Sequence, residues 1–400
     1  MRILVVWDDP EQADLLSLYL GAEGNSIKVC LTTADFAGEN VLGKWDVVLL
    51  ALTFPKTPDD GYQHYLQQQT QMPGIPIVIA CRQNEMMSLP KFMAHGLKAY
   101  IIRDDNGDFI FLALTSLESA VAAQRAEEGK KLAALLRDEM DGVRRMQESI
   151  IPKGLTPPPG YAMTARYEPA QVQVVGEMPV VMAGGDYYDL FLPDKNLLAL
   201  MVGDASGHGL KACMSIMAMH TLIRMFTGSR YRETASFVGE INQRLCENSI
   251  VQSGGGFITL FYAVIDTENH EMHWTSAGHP LALMQNMKSN EVALIGTDDE
   301  TGLPLGIYPD VLYASGTMFI PPGSRILVYS DGLTDALPPR SGANSELAFG
   351  TQGIVKTLAE CHDLNIEQTL VQLFAKTSEY TGGMGRHDDT SVVLLERFSI

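Results

Sequence analysis

The sequence predicts an α/β unit of the doubly wound, flavodoxin-like kind, a helical linker, and then an α+β unit built from two antiparallel sheets flanked by helices. Three observations carry this. From Met1 to about Ala113 short apolar runs alternate with amphipathic stretches, the β-α rhythm of a parallel sheet covered on both faces. Leu117 to Ile151 is polar, rich in Ala and Leu, and free of Pro. From about Tyr161 strand-like runs succeed one another across Gly-rich turns, with only a few helical stretches between them.

Taken in order, Ile3–Val6, Val47–Leu52, Ile75–Ala80 and Ala99–Ile102 are the strand candidates of the first unit. In the polar segment Leu132, Leu136, Val143, Met146 and Ile150 follow 4 and 3 spacings, interrupted by Glu139, which predicts a helix. That stripe suits either a coiled coil in a homodimer or a helix packed on its own chain. Pro152 and the run LTPPPG at Leu155–Gly160 end it, so the expected divisions are 1–116, 117–152 and 153–400. In the last part Leu197–Gly203, Ile258–Asp266, Glu271–Gly278, Ser324–Ser330 and Thr390–Arg397 read as strands. Lys211–Phe226 and Glu233–Asn248 read as helices.

Composition narrows the partners. The 400 residues are 46% hydrophobic and 19% charged, values of a folded globular chain with more than one core. A formal net charge of −19 argues against nucleic acid or an anionic membrane surface and in favour of another protein. Five scattered cysteines without a CxxC pair suggest neither a disulfide framework nor a zinc finger. The chain opens on MRILVVWDDP, and no apolar run reaches about 18 residues, so a cytoplasmic location is expected.

Four aspartates stand in or beside glycine-marked turns: Asp186 in GGDYYD, Asp204 in VGDASGHG, Asp331 in YSDGLTDA and Asp388 in HDDTSVV. At least three of these motifs abut a strand candidate. Carboxylates delivered at strand ends collect hard cations, and Mg²⁺ or Mn²⁺ fits an all-oxygen set without thiolates or paired histidines.

The ordered series MQESIIP, YEPA, GGDYYD, VGDASGHG, FITLFYAVID, TSAGHP, GLPLG, ILVYSDGLTDA and HDDTSVVLL spans roughly Met146 to Arg397. It resembles the SpoIIE/RsbU branch of the metal-dependent (PPM, type 2C) serine/threonine phosphatases. A DG pair alone is a common turn and GHG alone a flexible loop; the specificity lies in the order of all nine. The resemblance implies a two-metal site for Mn²⁺ or Mg²⁺. Asp204 would bridge both ions with the carbonyl of Ala205 as an extra ligand, Asp331 and Asp388 would complete one ion, and Asp186 would contribute to the other. Asp389 is the rival of Asp388, because sequence does not orient adjacent residues. His208 would act as general acid on the leaving oxygen, or only hydrogen-bond a ligand.

Around these, Gly185, Gly203 and Gly332 are expected to give the backbone freedom to turn. His279, in AGHP, is expected to shape a turn in preference to catalysis. Asp189 and Asp335 are either supporting residues or solvated turn acids. Met214, Met217, Met219 and Met225 read as core packing, or at most a helix surface. Two features depart from the family pattern: a long connection at Gln171–Ala183, which would add a loop near the site, and Lys211 close after GHG.

The implied activity is hydrolysis of phosphoserine or phosphothreonine on a protein partner, a reaction that needs a strong nucleophile and charge neutralisation at the phosphoryl oxygens. The branch typically acts on small STAS-type anti-anti-sigma proteins, which is the implied substrate. The alternative from another class is a catalytically silent adaptor that uses both folded parts for protein binding.

The first unit resembles a CheY-like response-regulator receiver. ILVVWDDPEQADLLSLYLGAEG lies over that family's first strand and helix, WDVVLLALTFP over its third strand and HGLKAYIIRDD over its fifth. Its chemistry departs at four positions. Ala51 replaces the phosphate-accepting aspartate, Trp7 replaces one of two metal-binding acids and leaves Asp8 and Asp9, Cys81 replaces the switch hydroxyl, and Arg103 replaces the lysine. Asp59 and Asp46 are the other acceptors considered. Asp46 begins its strand, whereas ligands in such sheets sit at carboxyl ends. The expectation is a non-phosphorylatable pseudo-receiver, controlled by an upstream protein, a small ligand or dimerisation, and relayed through the 117–151 helix.

Overall fold

A computed structural model describes all residues except 23, 43, 105, 155, 173–179, 182, 208, 226–230, 253–255, 339–347, 384–387 and 400. Contacts divide the chain into two units, Met1–Leu136 and Arg137–Ile400.

In the first unit the elements run β1 (Arg2–Val6), α1 (Pro10–Gly21), β2 (Ser26–Cys30), α2 (Thr33–Leu42), β3 (Val47–Ala51), α3 (Pro58–Gln71), β4 (Ile77–Cys81), α4 (Leu89–Met93), β5 (Ala99–Ile102) and α5 (Ile110–Ile150). All five strands are parallel, in the order β2-β1-β3-β4-β5. β3 and β4 are buried at every position, as strands covered on both faces must be. β2 escaped the sequence reading because SIKVC is an edge strand with a half-polar pattern. Helix starts follow local chemistry. Asp9 accepts the N–H groups of Glu11 and Gln12 ahead of Pro10, so it caps α1, and Thr57 with Asp60 forms a capping box on α3. α5 begins seven residues before the predicted helix, because Ile110, Ala113, Leu114 and Leu117 bury an apolar face in this unit's core.

The second unit contains β6 (Tyr161–Glu168), β7 (Gln171–Val172), β8 (Val180–Val181), β9 (Asp186–Asp194), β10 (Leu197–Ala205), α6 (Leu210–Met225), α7 (Thr234–Glu247) and α8 (Ser249–Gln252). It continues through β11 (Ile258–Asp266), β12 (Glu271–Ala277), β13 (Leu283–Asn286), β14 (Val292–Leu294), β15 (Thr301–Gly302), β16 (Gly316–Phe319), β17 (Ser324–Tyr329), α9 (Gly350–Glu360), α10 (Ile366–Tyr380) and β18 (Thr390–Arg397). One sheet has the order β15-β12-β11-β10-β9 with β16 also on β12; the other has the order β14-β13-β17-β18-β6. Pairing is antiparallel except for the short β12–β15 contact. Between the sheets Tyr188, Leu200, Val202, Phe261 and Ala263 meet Ile326, Val328, Val393 and Leu395. On the outer faces α6 and α7 cover the first sheet, and α9 and α10 cover the second. The result is a four-layer sandwich, helices outside and sheets inside.

Candidate active site

The site is assembled where one end of each sheet meets the other. In the antiparallel β9–β10 pair Asp186 lies directly opposite Asp204. Side chains alternate along a strand, so Asp186 and Tyr188 share the face toward the second sheet while Tyr187 and Asp189 face α6. In the second sheet Tyr329 pairs with Val392, which sets Ser330 and Asp331 beside Asp388 and Asp389. The carboxylates come from four chain segments.

Hydrogen bonds tie these segments together. Ser330 Oγ donates to Asp186 Oδ2 at 2.5 Å and accepts the Ser391 N–H at 2.9 Å. Asp389 Oδ2 accepts the Gly185 N–H at 2.7 Å, and Oδ1 accepts the Ala170 N–H at 2.8 Å and the Tyr167 hydroxyl at 3.3 Å. Asp389 is buried and engaged by the protein on both oxygens, whereas Asp388 is exposed and caps the Asp389 N–H with Oδ1 at 2.8 Å.

The glycines serve close approach, not turning. Gly185, Gly203 and Gly332 do not have positive φ, contrary to the freedom expected from the sequence. A Cβ on Gly185 would stand 2.5 Å from the carbonyl oxygen of Ala205 and 3.0 Å from Asp204 Oδ1; one on Gly332 would meet the Asp389 carbonyl at 1.8 Å. The bare backbone at Gly185 therefore leaves a cradle between the two oxygens expected to bind an ion.

Gln147, on α5, was quoted within MQESIIP by the sequence reading but given no role. Its Nε2 donates to the carbonyl of Asp186 at 3.0 Å and its Oε1 accepts the Gly184 N–H at 2.8 Å, so one buried amide brackets the GGD turn. A signal existed: Gln147 lies one turn after Val143 on the face that Ile150 continues. Ser330, inside YSDGLTDA, was quoted in its motif but not singled out.

The electrostatics reflect crowding. Burial and then the charges of Asp204 and Asp389 push the Asp186 carboxyl well up. Burial and then Asp331, Asp388 and Asp389 raise Asp204 to about 8, and burial with Asp388 raises Asp331 to about 6. Asp331 Oδ1 is buried without a partner. Among the described residues no three Asp, Glu, His or Cys side chains already close into a cage for an ion. The carboxylates stand as repelling neighbours. An acceptor-only oxygen set, an orphaned carboxylate oxygen and the Gly185 cradle fit a hard divalent cation.

His208 lies outside the described residues, as does most of the Gln171–Ala183 connection; β7 and β8 at its two ends pair with each other. His279 is fully buried between Thr259 Oγ1 at 2.8 Å and the Tyr329 carbonyl at 3.1 Å, and burial pulls its pKa down to about 3. A ring that donates to Tyr329 and stays neutral shapes the approach to Asp331. Asp335 is exposed, and its N–H bonds the Asp331 carbonyl. Asp189 is no turn acid: it is buried under α6, on the opposite face of β9 from Asp186. Of the four methionines only Met219 is in the core; Met214 and Met225 are exposed, which corrects the core-packing reading in favour of a helix surface.

In the first unit the carboxyl ends of the strands carry Ala51 and Cys81, with Trp7, Asp8 and Arg103 directly after β1 and β5. Arg103, 2% exposed, forms a two-pronged ion pair with Asp8, Nη2 to Oδ2 at 2.7 Å, and donates to Thr53 Oγ1 at 2.8 Å. Its guanidinium also lies 5.1 Å from the centre of the Trp7 ring. Burial alone would raise the Asp8 carboxyl, but the bonds from Arg103 and Thr53 outweigh it and hold it low. Asp46 accepts the Arg2 N–H at the opposite end of the sheet, and Asp59 pairs with Lys91 on the surface.

Residues 194–398, a little over half of the chain, match the family described as stage II sporulation protein E (SpoIIE), and the chain belongs to that family. It is 26% identical over 271 residues to Protein IcfG of Synechocystis sp. (strain ATCC 27184 / PCC 6803 / Kazusa), covering 62% of this chain and 39% of that protein. It is 26% identical over 224 residues to phosphoserine phosphatase RsbU of Bacillus subtilis (strain 168), covering 55% of this chain and 61% of RsbU. The chain thus spans less than two thirds of either curated relative. The solved SiaA-PP2C domain of Pseudomonas aeruginosa is similar at a TM-score of 0.51 and 19% identity, covering 68% of this chain and 99% of that one. The second unit has the PPM (PP2C) fold. Among the described residues no helix is long and apolar enough to cross a membrane.

Proposed function

We propose that the second unit is a Mn²⁺- or Mg²⁺-dependent protein serine/threonine phosphatase, a phosphoric monoester hydrolase. The observation that carries this reading is the set of carboxylates gathered from both sheets, repelling one another until Asp204 rises to about 8, with Asp331 Oδ1 buried and unpartnered. In this reading Asp204, Asp331 and Asp388 would hold one ion and Asp186 with Asp204 the other, with the Ala205 carbonyl as an extra ligand. When bound, such ions would supply the positive charge the cluster lacks and lower the pKa of a coordinated water toward neutrality. Asp389 fixes Gly185 and Ala170 without facing an ion. Ser330 orients Asp186, Gln147 braces the turn before it, and His208 protonates the leaving serine oxygen.

The substrate proposed is a phosphorylated STAS-type regulatory protein, supported by the family and by the similarity to RsbU. The first unit is proposed to be a pseudo-receiver. Ala51 offers no oxygen to phosphorylate, and Arg103 occupies the acidic side chain that a cation would use. Exposed Leu132, Leu135, Leu136 and Met146 on α5 are consistent with a homodimer formed along that helix.

The test is phosphate release from a serine-phosphorylated STAS protein by the full chain, stripped with chelator and then titrated with Mn²⁺. Turnover should return with Mn²⁺ and be absent in Asp204→Asn. Wild-type protein that binds the substrate but releases no phosphate at any Mn²⁺ or Mg²⁺ concentration would support the silent adaptor instead.

A further inference from the structure

Behind the candidate site, on the face of β9 turned away from it, lies a polar network that the proposed chemistry does not use. Asp189 is 0% exposed. Its Oδ2 accepts the Tyr187 hydroxyl at 2.8 Å and the Arg224 guanidinium at 2.6 Å, while Oδ1 is buried without a partner. Tyr187 Oη is also 2.6 Å from His220 Nδ1. The Tyr187 proton goes to the carboxylate, so His220 donates through Nδ1. Arg224 lies against the Phe191 ring, 4.2 Å from its centre. Three strand residues of β9 are thereby joined to two residues in the last half of α6.

Both elements adjoin proposed ligands. β9 begins at Asp186, and α6 begins five residues after Ala205, which with Asp204 closes β10 directly opposite the start of β9. The lead-in of β9 is bonded to the end of β10 and to the turn before α6: the Ala205 N–H to the Gly185 carbonyl and the Gly209 N–H to the Ala183 carbonyl, both at 2.9 Å. The middle of α6 rests on the sheet through Cys213, Ile216, Met219 and Ile223, all buried. Apolar contacts are non-directional and tolerate sliding, whereas a charge-assisted bond to a buried carboxylate has one geometry.

We propose that Asp189 and Arg224 are positioning residues for the metal site: their ion pair, completed by Tyr187 and His220, fixes the far end of α6 on β9 and so holds the start of α6, and the end of β10 that carries Asp204 and Ala205, in place beside Asp186. The inference rests on the metal-dependent reading given above. Outer partners that orient ligands typically change metal affinity by about 10–100-fold when removed.

The experiment compares wild type with Asp189→Asn, Arg224→Gln and Arg224→Lys, with Arg244→Gln, which removes an exposed pair to Glu240 on α7, as control. Mn²⁺ binding is measured by calorimetry on the full chain, and separately as the Mn²⁺ concentration that half-activates phosphate release. Asp189→Asn and Arg224→Gln should weaken Mn²⁺ binding about tenfold, with kcat at saturating Mn²⁺ nearly unchanged, and Arg224→Lys should recover part of the loss. Arg224 is 41% exposed on its side chain, so its variants keep the test open if Asp189→Asn does not fold. Thermal stability that drops while Mn²⁺ affinity stays at the wild-type value would overturn the proposal. Wild type that binds Mn²⁺ without turnover would instead overturn the phosphatase reading and leave this inference standing.

Discussion

Asp388 and Asp389 are neighbours in sequence with opposite surroundings. Asp389 accepts two backbone N–H groups and a tyrosine hydroxyl, so replacing one of its oxygens with an amide NH₂ sets a donor against a donor. In chelator, Asp389→Asn should lower stability by about 1–3 kcal/mol, the scale of a buried group left unsatisfied. Asp388→Asn, at an exposed carboxylate, should leave metal-free stability within about 0.5 kcal/mol and abolish Mn²⁺-dependent turnover. Denaturant unfolding beside a phosphate-release assay reads both. The pH behaviour of the metal-free protein belongs to the same residues. The folded pKa of Asp204, about 8, is above its ordinary 3.8, so between these values the folded state holds a proton that the unfolded state has lost. Stability from this group is therefore complete at low pH and lost as pH rises through about 8. His279 acts in the opposite sense below its ordinary 6.5, because its folded pKa of about 3 makes unfolding take up a proton there. Between about pH 6.5 and 8 Asp204 is left to dominate this pair. Stability in chelator should fall with pH across that window, and Asp204→Asn should flatten the slope in thermal melts.

At the scale of elements, strands were legible where their apolar runs are long: Leu197–Gly203, which leads into Asp204, and Thr390–Arg397 fall where the sequence placed them. β6 was not, since YAMTARYE mixes polar and small residues on an edge strand, and β9 was read as a turn because GGDYYD opens on glycines. Yet β9 is the strand that opposes Asp204. The C-terminal part of α5 acts on it through Gln147. Gln147→Leu removes both partners of a buried N–H and a buried C=O and should cost about 2–3 kcal/mol of stability. It should also weaken Mn²⁺ activation, read by titrating Mn²⁺ against phosphate release. Unchanged Mn²⁺ activation in a destabilised variant would reduce Gln147 to a packing role.

For the molecule as a whole, the two units differ in what their acids face. In the second, carboxylates face one another; in the first, Asp8 faces Arg103. Removing one partner of a buried ion pair is strongly destabilising, so Arg103→Met should cost about 3–5 kcal/mol in denaturant unfolding of the full chain. Small phosphodonors such as acetyl phosphate should leave the first unit unlabelled, and mass spectrometry that finds a phosphoryl group within residues 1–116 would contradict the pseudo-receiver reading. The sequence by itself determined the fold class, the family-like order of motifs and the aspartates as a set. It also determined that position 51 is an alanine, on which the proposed pseudo-receiver reading rests. These are properties of residue type and local pattern. Only the tertiary structure decided that Asp389 is held by backbone donors while Asp388 is exposed, that Gly185 is needed for space, that Gln147 and Ser330 brace Asp186, and that Asp189 is joined to Arg224. Each of those depends on segments tens to hundreds of residues apart meeting in the folded chain, and no local pattern records which oxygen will face which neighbour.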